Sequence, residues 1–251
     1  MTYFDINEAG FSVRCKLFAA DKRAADRVII CCHGFGGSKD SHAIARFADR
    51  VLSKYKSVAV IAFDWPCHGQ DARKALRLDE CFRYLDIVTA YAKQRFQPRK
   101  LFAYGTSFGG YLLLNYMLQS PGVFEKIALR CPAINIYESL TTVILSEDDR
   151  QKLHRGKDVL AGFDRKIKLS PEALQELSDH DIAHSDAFVP YADKLLILHG
   201  TKDEIISFDI DKAFSERNGI PFLAFDGADH RFSDPVKMDA AIHEILRFFS
   251  F

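Results

Sequence analysis

The chain has 251 residues, of which 48% are hydrophobic and 27% charged. That balance suits a folded globular protein and excludes wholesale disorder. Thirty-four basic residues against 34 acidic ones give a formal net charge of +0, without the basic footprint of a nucleic-acid binder, so a small, neutral or modestly charged substrate is expected. No apolar run approaches a bilayer span, and Met1-Thr2-Tyr3-Phe4-Asp5 has no basic n-region or apolar h-region. A cytoplasmic protein with neither nucleic acid nor membrane as partner is expected.

Taken in chain order, residues 2–6 and the alternating Phe11, Val13, Cys15 and Leu17 predict two paired strands around a turn at Asn7-Glu8-Ala9-Gly10. Short continuous apolar runs follow at Val28–Cys32, Val58–Phe63, Leu101–Tyr104, Ile127–Leu129, Leu195–Leu198 and Phe222–Phe225. Such runs suit parallel strands covered on both faces. Helical spacing appears near 41–54, 79–96, 108–119, 208–217 and 236–249, with Asp234-Pro235 as cap and first position of the last helix. The alternation predicts an α/β fold with a mostly parallel, doubly wound sheet and an N-terminal antiparallel hairpin. It is interrupted at 133–190, where a helix at 137–155, a strand-like Lys166–Leu169 and a helix opened by Ser170-Pro171-Glu172 predict an insertion with its own secondary structure. The core then comprises 1–132 and 191–251. The cysteines at 15, 31, 32, 67, 81 and 131 form no C-x-x-C pair and are expected to be reduced and mostly buried, with Cys31 and Cys32 on opposite strand faces rather than on one metal.

Gly105-Thr106-Ser107-Phe108-Gly109 matches G-x-S-x-G between a strand and a helix, the setting in which a sharp turn exposes a serine nucleophile. A serine hydroxyl needs a base. Of nine histidines, His230 is best placed, in the loop between the last apolar run and the last helix. His199, ending a strand, is expected to make a structural hydrogen bond, and His243 to lie on the surface. The base needs an orienting carboxylate; Asp203, in His199-Gly200-Thr201-Lys202-Asp203, is favoured over Glu204 and Asp209. The glycine-rich His33-Gly34-Phe35-Gly36-Gly37 follows a strand and can aim the Phe35 N–H, together with the Phe108 N–H, at an oxyanion. As a phosphate cradle it lacks the Lys-Ser/Thr of a P-loop and the G-x-G-x-x-G spacing. Asp64-Trp65-Pro66-Cys67-His68-Gly69 is expected to be scaffolding beside the site rather than a substrate contact through Trp65 or His68.

These segments, with Gly227–Ser233, resemble serine hydrolases of the α/β-hydrolase superfamily over almost the whole chain. They are especially similar to small carboxylesterases of the cinnamoyl (feruloyl) esterase group and its serine-aminopeptidase-like and monoacylglycerol-lipase-like relatives. The resemblance implies Ser107 as nucleophile, His230 as base, Asp203 as acid and Phe35 and Phe108 as oxyanion donors, with 133–190 capping the site. The expected activity is cleavage of short-chain or aromatic carboxylic esters without metal or cofactor, on a small-molecule ester, with a homodimer left open. A peptidase on the same triad would need a carboxylate for the substrate amine, for which Glu138, Glu147, Asp148 and Asp149 are candidates, although such a run also suits a solvated face. A lipase would need an apolar cap, whereas this one is rich in Lys, Arg and Asp. A non-enzymatic binding protein would be expected to have a broken triad.

Overall fold

Five of the six apolar runs become interior strands of one sheet; the sixth, Phe222–Phe225, is corrected to a partly exposed edge strand, which has a neighbour on one side only. The computed structural model describes residues 1–21, 24–162 and 165–251. Two N-terminal strands, β1 (Thr2–Glu8) and β2 (Phe11–Ala19), form the predicted hairpin. There follow β3 (Arg27–Cys32), α1 (His42–Lys54), β4 (Val58–Phe63), α2 (Leu78–Phe96), β5 (Lys100–Thr106), α3 (Phe108–Gln119) and β6 (Lys126–Arg130). The insertion holds α4 (Ile136–Ser139), a π-helical turn at Leu140–Ile144, α5 (Glu147–His154), β7 (Val159–Ala161), β8 (Ile167–Leu169) and α6 (Pro171–Asp179). A 3-10 turn at Val189–Lys194 leads into β9 (Leu195–Gly200), α7 (Phe208–Asn218), β10 (Phe222–Phe225) and α8 (Pro235–Phe248).

The main sheet has eight strands in the order β1-β2-β4-β3-β5-β6-β9-β10. Strand β2 joins β4 antiparallel, and from β4 to β10 every pairing is parallel. Its central strands are apolar throughout because both faces are covered. Val28, Ile30 and Cys32 pack on the side of α2 and α3, while Ile29 and Cys31 pack on the side of α1 and α8. The adjacent thiols therefore face opposite cores, as the strand period of two requires. All six cysteines are free, and all but Cys67 are buried.

Segment 133–190 contributes no described strand to the main sheet; β7 and β8 form a separate antiparallel pair. Residues 163 and 164 of that segment lie outside the described residues. The single helix expected at 137–155 is corrected to two. The chain is extended at Leu145, and α5 restarts at Ser146, which forms a capping box with Asp149. Arg150 donates to the carbonyls of Thr141 and Leu145, satisfying backbone groups that the break would otherwise leave open. Helical periodicity runs through both pieces, so only this end chemistry separates them.

The loops after β3 and β4 are tied together by a buried ion pair. Lys39 Nζ donates to Asp64 at 2.8 Å and to Gln70 at 3.0 Å, and the amides of Lys39 and Gln70 both donate to the Asp64 carboxylate at 2.7 Å. A Cβ at Gly69 would overlap that carboxylate, and its φ of +54° lies in the left-handed region. Trp65, fully buried, donates from its indole to the His33 carbonyl at 3.0 Å. Removing one partner of such a pair leaves an uncompensated buried charge. Lys39→Met is expected to lower unfolding free energy by about 3–5 kcal/mol in urea, followed by the fluorescence of the single Trp65. Lys100→Met, which breaks an exposed pair with Glu125, is expected to cost at most about 1 kcal/mol.

Candidate active site

Strands β3 and β5 lie side by side in parallel, with Cys32 opposite Gly105, so their following loops leave the same edge together. At the end of β5 the chain turns abruptly into α3 through Ser107, which has φ +51° and ψ −122°. That is a left-handed φ for a residue with a Cβ, a conformation that costs on the order of 1–3 kcal/mol and persists only where the surroundings enforce it. Here they do so from several sides. The Ser107 amide donates to the Arg130 carbonyl at 3.0 Å, and its own carbonyl accepts from Gly110, Tyr111 and Ala133. Gly109 lies so close to the carbonyls of Cys32 and His33 that a Cβ would overlap them, and a Cβ at Gly105 would come within 2.9 Å of the Gly109 carbonyl. Both glycines of the motif are therefore required by close backbone approach.

The loop after β3 passes over this turn. A Cβ on Gly34 would stand 3.2 Å from that of Ser107. The loop closes through a bond from the Gly37 amide to the Gly34 carbonyl at 3.0 Å, and Gly36 takes φ +73°. His33 is buried beneath it, its Nδ1 2.8 Å from the Gly34 carbonyl and its Nε2 accepting from the Trp65 amide at 3.3 Å. Burial, aided by the charges of Lys39 and Arg165, lowers its pKa to about 4, so the ring is neutral. Phe35 and Phe108 meet edge to face with ring centroids 5.7 Å apart, and Phe108 stacks between His68 and Tyr111. These contacts fix the backbone at both expected oxyanion donors. Trp65 and His68 are fully buried behind them and do not line the cavity, as expected of scaffolding.

His230 reaches the same edge from the loop between β10 and α8. Its Nδ1 lies 2.7 Å from Asp203 Oδ2, and the Asp203 side chain is fully buried. Asp203 Oδ1 also accepts from the amides of Ile205 and Ile206 at 2.9 and 2.8 Å. Of the rivals, Glu204 is exposed and accepts from the His230 amide at 3.3 Å, and Asp209 is exposed on the first turn of α7. His243 is exposed, as expected. His199 makes more than a local structural bond. Its Nε2 lies 3.2 Å from Asp203 Oδ2 and its Nδ1 2.8 Å from Asp211 Oδ2, and all three side chains are fully buried. The result is a continuous chain, His230–Asp203–His199–Asp211. Burial alone would lower the His199 pKa, but hydrogen bonds to the two carboxylates raise it to about 9. Burial would raise that of Asp203, but bonds to both histidines hold it well below the usual carboxylate range.

Ser107 and His230 line one cavity of about 680 Å³, together with the loop after β3. Comparison with known proteins gives the family and the fold. The sequence model of the alpha/beta hydrolase family matches residues 29–241. The chain belongs to that family. Among solved structures, Est1E from Butyrivibrio proteoclasticus with bound ferulic acid superposes with a TM-score of 0.80 at 18% identity, over 99% of this chain and 100% of that one. Alpha/beta hydrolase domain-containing protein 10 from mouse gives a TM-score of 0.75 at 14% identity, over 100% and 99%. The monoacylglycerol lipase of Paleococcus ferrophilus gives 0.65 at 18% identity, over 94% and 97%.

In this alpha/beta hydrolase family member, one group of described residues has donor atoms close enough to share a cation: Cys131, His199 and Asp203, within 4.8 Å of one another. Both His199 nitrogens already face carboxylates, and burial holds the Cys131 thiol protonated, so the group is a hydrogen-bonded cluster. Among the described residues no helix is long and apolar enough to cross a membrane. Sequence reasoning missed Asp211, twelve residues beyond its partner and one of several acids on α7; its full burial is what sets it apart. A histidine whose pKa is raised in the folded state stabilises fully below its unfolded value of 6.5, and the contribution is lost as pH rises toward about 9. Thermal unfolding from pH 6.5 to 9 is therefore expected to show a falling midpoint for the native chain and a flatter profile for His199→Gln.

Proposed function

We propose that this chain is a serine hydrolase that cleaves carboxylic esters of short-chain or aromatic acids through an acyl-enzyme. Ser107 Oγ attacks the ester carbonyl carbon while His230 takes the hydroxyl proton on Nε2. Asp203, bonded to Nδ1 at 2.7 Å, holds the ring in the tautomer that leaves Nε2 free and stabilises the imidazolium that forms. The oxyanion accepts hydrogen bonds from the Phe35 and Phe108 amides, each worth on the order of 3 kcal/mol in the transition state. The tetrahedral adduct collapses, the C–O bond to the alcohol breaks, and His230 returns its proton to the leaving oxygen. Water then attacks the acyl group with His230 again as base, releasing the acid and restoring Ser107.

The observation that carries this reading is the enforced left-handed turn at Ser107, opening on the same cavity as a histidine already bonded to a buried aspartate. Segment 133–190 is read as the cap over a core of 1–132 and 191–251, and it supplies Ile144 and Arg165 to the cavity wall. Six unpaired cysteines suit a reducing, cytoplasmic setting. The peptidase alternative is less well supported. Glu138 is bonded to Asn135, and Glu147 and Asp148 are exposed and paired with Arg150 and Lys152. Asp149 closes the cap of its own helix, and none of the four lines the cavity.

A fluorophosphonate probe is expected to label the native protein at Ser107, and Ser107→Ala is expected to abolish labelling and cut turnover of 4-nitrophenyl acetate by at least about a thousandfold. Asp203→Asn is expected to reduce turnover comparably without unfolding the chain, because it retains hydrogen-bonding capacity but favours the wrong imidazole tautomer. Full labelling of Ser107→Ala, or cleavage of aminoacyl anilides but no ester in a substrate panel, would refute the assignment.

A further inference from the structure

Among the described residues, the charged side chains on the cavity wall are all cationic. Arg46, Arg130, Arg165 and Arg231 line it and no described aspartate or glutamate does. These cations are not equivalent. Arg46 is neutralised by Asp239 at 2.8 Å. Arg231 contributes its backbone carbonyl as the acceptor for Arg130 Nη1 at 2.7 Å. Arg130 differs: among the described residues it has no ion-pair partner in contact, and Asp229, near enough to feel its charge, lies beyond ion-pair distance. It ends β6, the strand that receives the Ser107 amide, and it is only 6% exposed. Its guanidinium lies over the Phe232 ring at 5.1 Å, its Nε is buried without a hydrogen-bond partner, and no described carboxylate lies within 4 Å. A buried cation left in that state is costly unless an anion completes it. Arg165 enters from the insertion, exposed and likewise without a described carboxylate partner, and near enough to the glycine-rich loop for its charge to help keep His33 and His68 neutral.

Resting on the esterase reading, we propose that the preferred ester is anionic: besides the scissile carbonyl it carries a carboxylate or phosphate-type oxyanion, bound in the cavity by Arg130 and Arg165. A guanidinium offers planar, paired donors that match either group, and its preference over a neutral ester of the same length should be electrostatic and sensitive to salt. The carbons of Phe35, Ile144 and Phe232 on the wall suit a short linker or ring between the two groups.

The test compares three activated esters of similar length: 4-nitrophenyl pentanoate, mono-4-nitrophenyl glutarate and the 4-nitrophenyl ester of 4-phosphonobutanoate. At low ionic strength at least one anionic ester is expected to exceed the pentanoate in kcat/KM by about tenfold or more, with the ratio shrinking in high salt. The better of the two identifies carboxylate or phosphate as the recognised group. Arg165→Gln, at an exposed position, is expected to lower the anionic-to-neutral ratio at least about threefold, and Arg130→Met further if it folds. The ratio is internal to each protein, so loss of active enzyme does not imitate loss of selectivity. Pentanoate cleaved as well as both anionic esters, or a ratio unmoved by Arg165→Gln, would overturn the inference while leaving the esterase reading intact. Failure of all three esters together with absence of fluorophosphonate labelling would remove the esterase reading itself.

Discussion

The site depends on the close passage of two backbones, where the start of α3 crosses the end of β3. Gly109 sits against the carbonyls of Cys32 and His33, and Gly34 sits against Ser107. At that spacing a side chain on either glycine would push the loop and the helix apart. The contact has two consequences at once. It holds Ser107 in a conformation that a free serine would leave, and it brings the Phe35 and Phe108 amides, from loops distant in sequence, to one end of the sheet. The Lys39–Asp64 pair and the Trp65–His33 bond then brace the β3 loop from behind, so the loop cannot relax away from the helix without unmaking a buried ion pair.

Charge is arranged around this frame by position rather than by composition. Three buried histidines illustrate it. His33 and His68, desolvated and near cations, have pKa values lowered to about 4 and about 3. His199, equally buried, is flanked by Asp203 and Asp211 and is driven the other way. Behind His230 there is thus a carboxylate pair bridged by a histidine, and in front of it a cavity wall of arginines. The zero net charge of the sequence conceals a buried carboxylate on one side of the His230 ring and arginines on the other.

Much of this was legible in the sequence for a definite reason. The serine turn, the glycine-rich loop and the order Ser107, Asp203, His230 are each written within a few consecutive residues at the ends of apolar runs. A parallel sheet brings such ends together without further information. What could not be read depends on contacts made across the fold. The break at Leu145 follows from an Arg150 side chain satisfying carbonyls from outside the helix. Asp211 differs from Asp209 only in facing inward, which helix phase alone did not resolve against a polar stretch. Arg130 directly follows the apolar run Ile127–Leu129; that it is buried against Phe232 and Arg231, about a hundred residues away, is a property of the assembled sheet.

The insertion shows how the same composition can be divided between stability and recognition. Its carboxylates are concentrated in the first turn of α5, where they complement the helix dipole and close the capping box, and they pair with Arg150 and Lys152 on the outer surface. Asp158 likewise pairs with Lys168, across the short β7–β8 hairpin. These acids are thereby occupied away from the cavity. What the described part of the insertion presents inward is one aliphatic side chain, Ile144, and one cation, Arg165. The insertion carries more acids than bases, yet what its described part turns to the cavity is basic, because the acids of α5 and Asp158 are engaged in capping its helix and pairing on its outer surface.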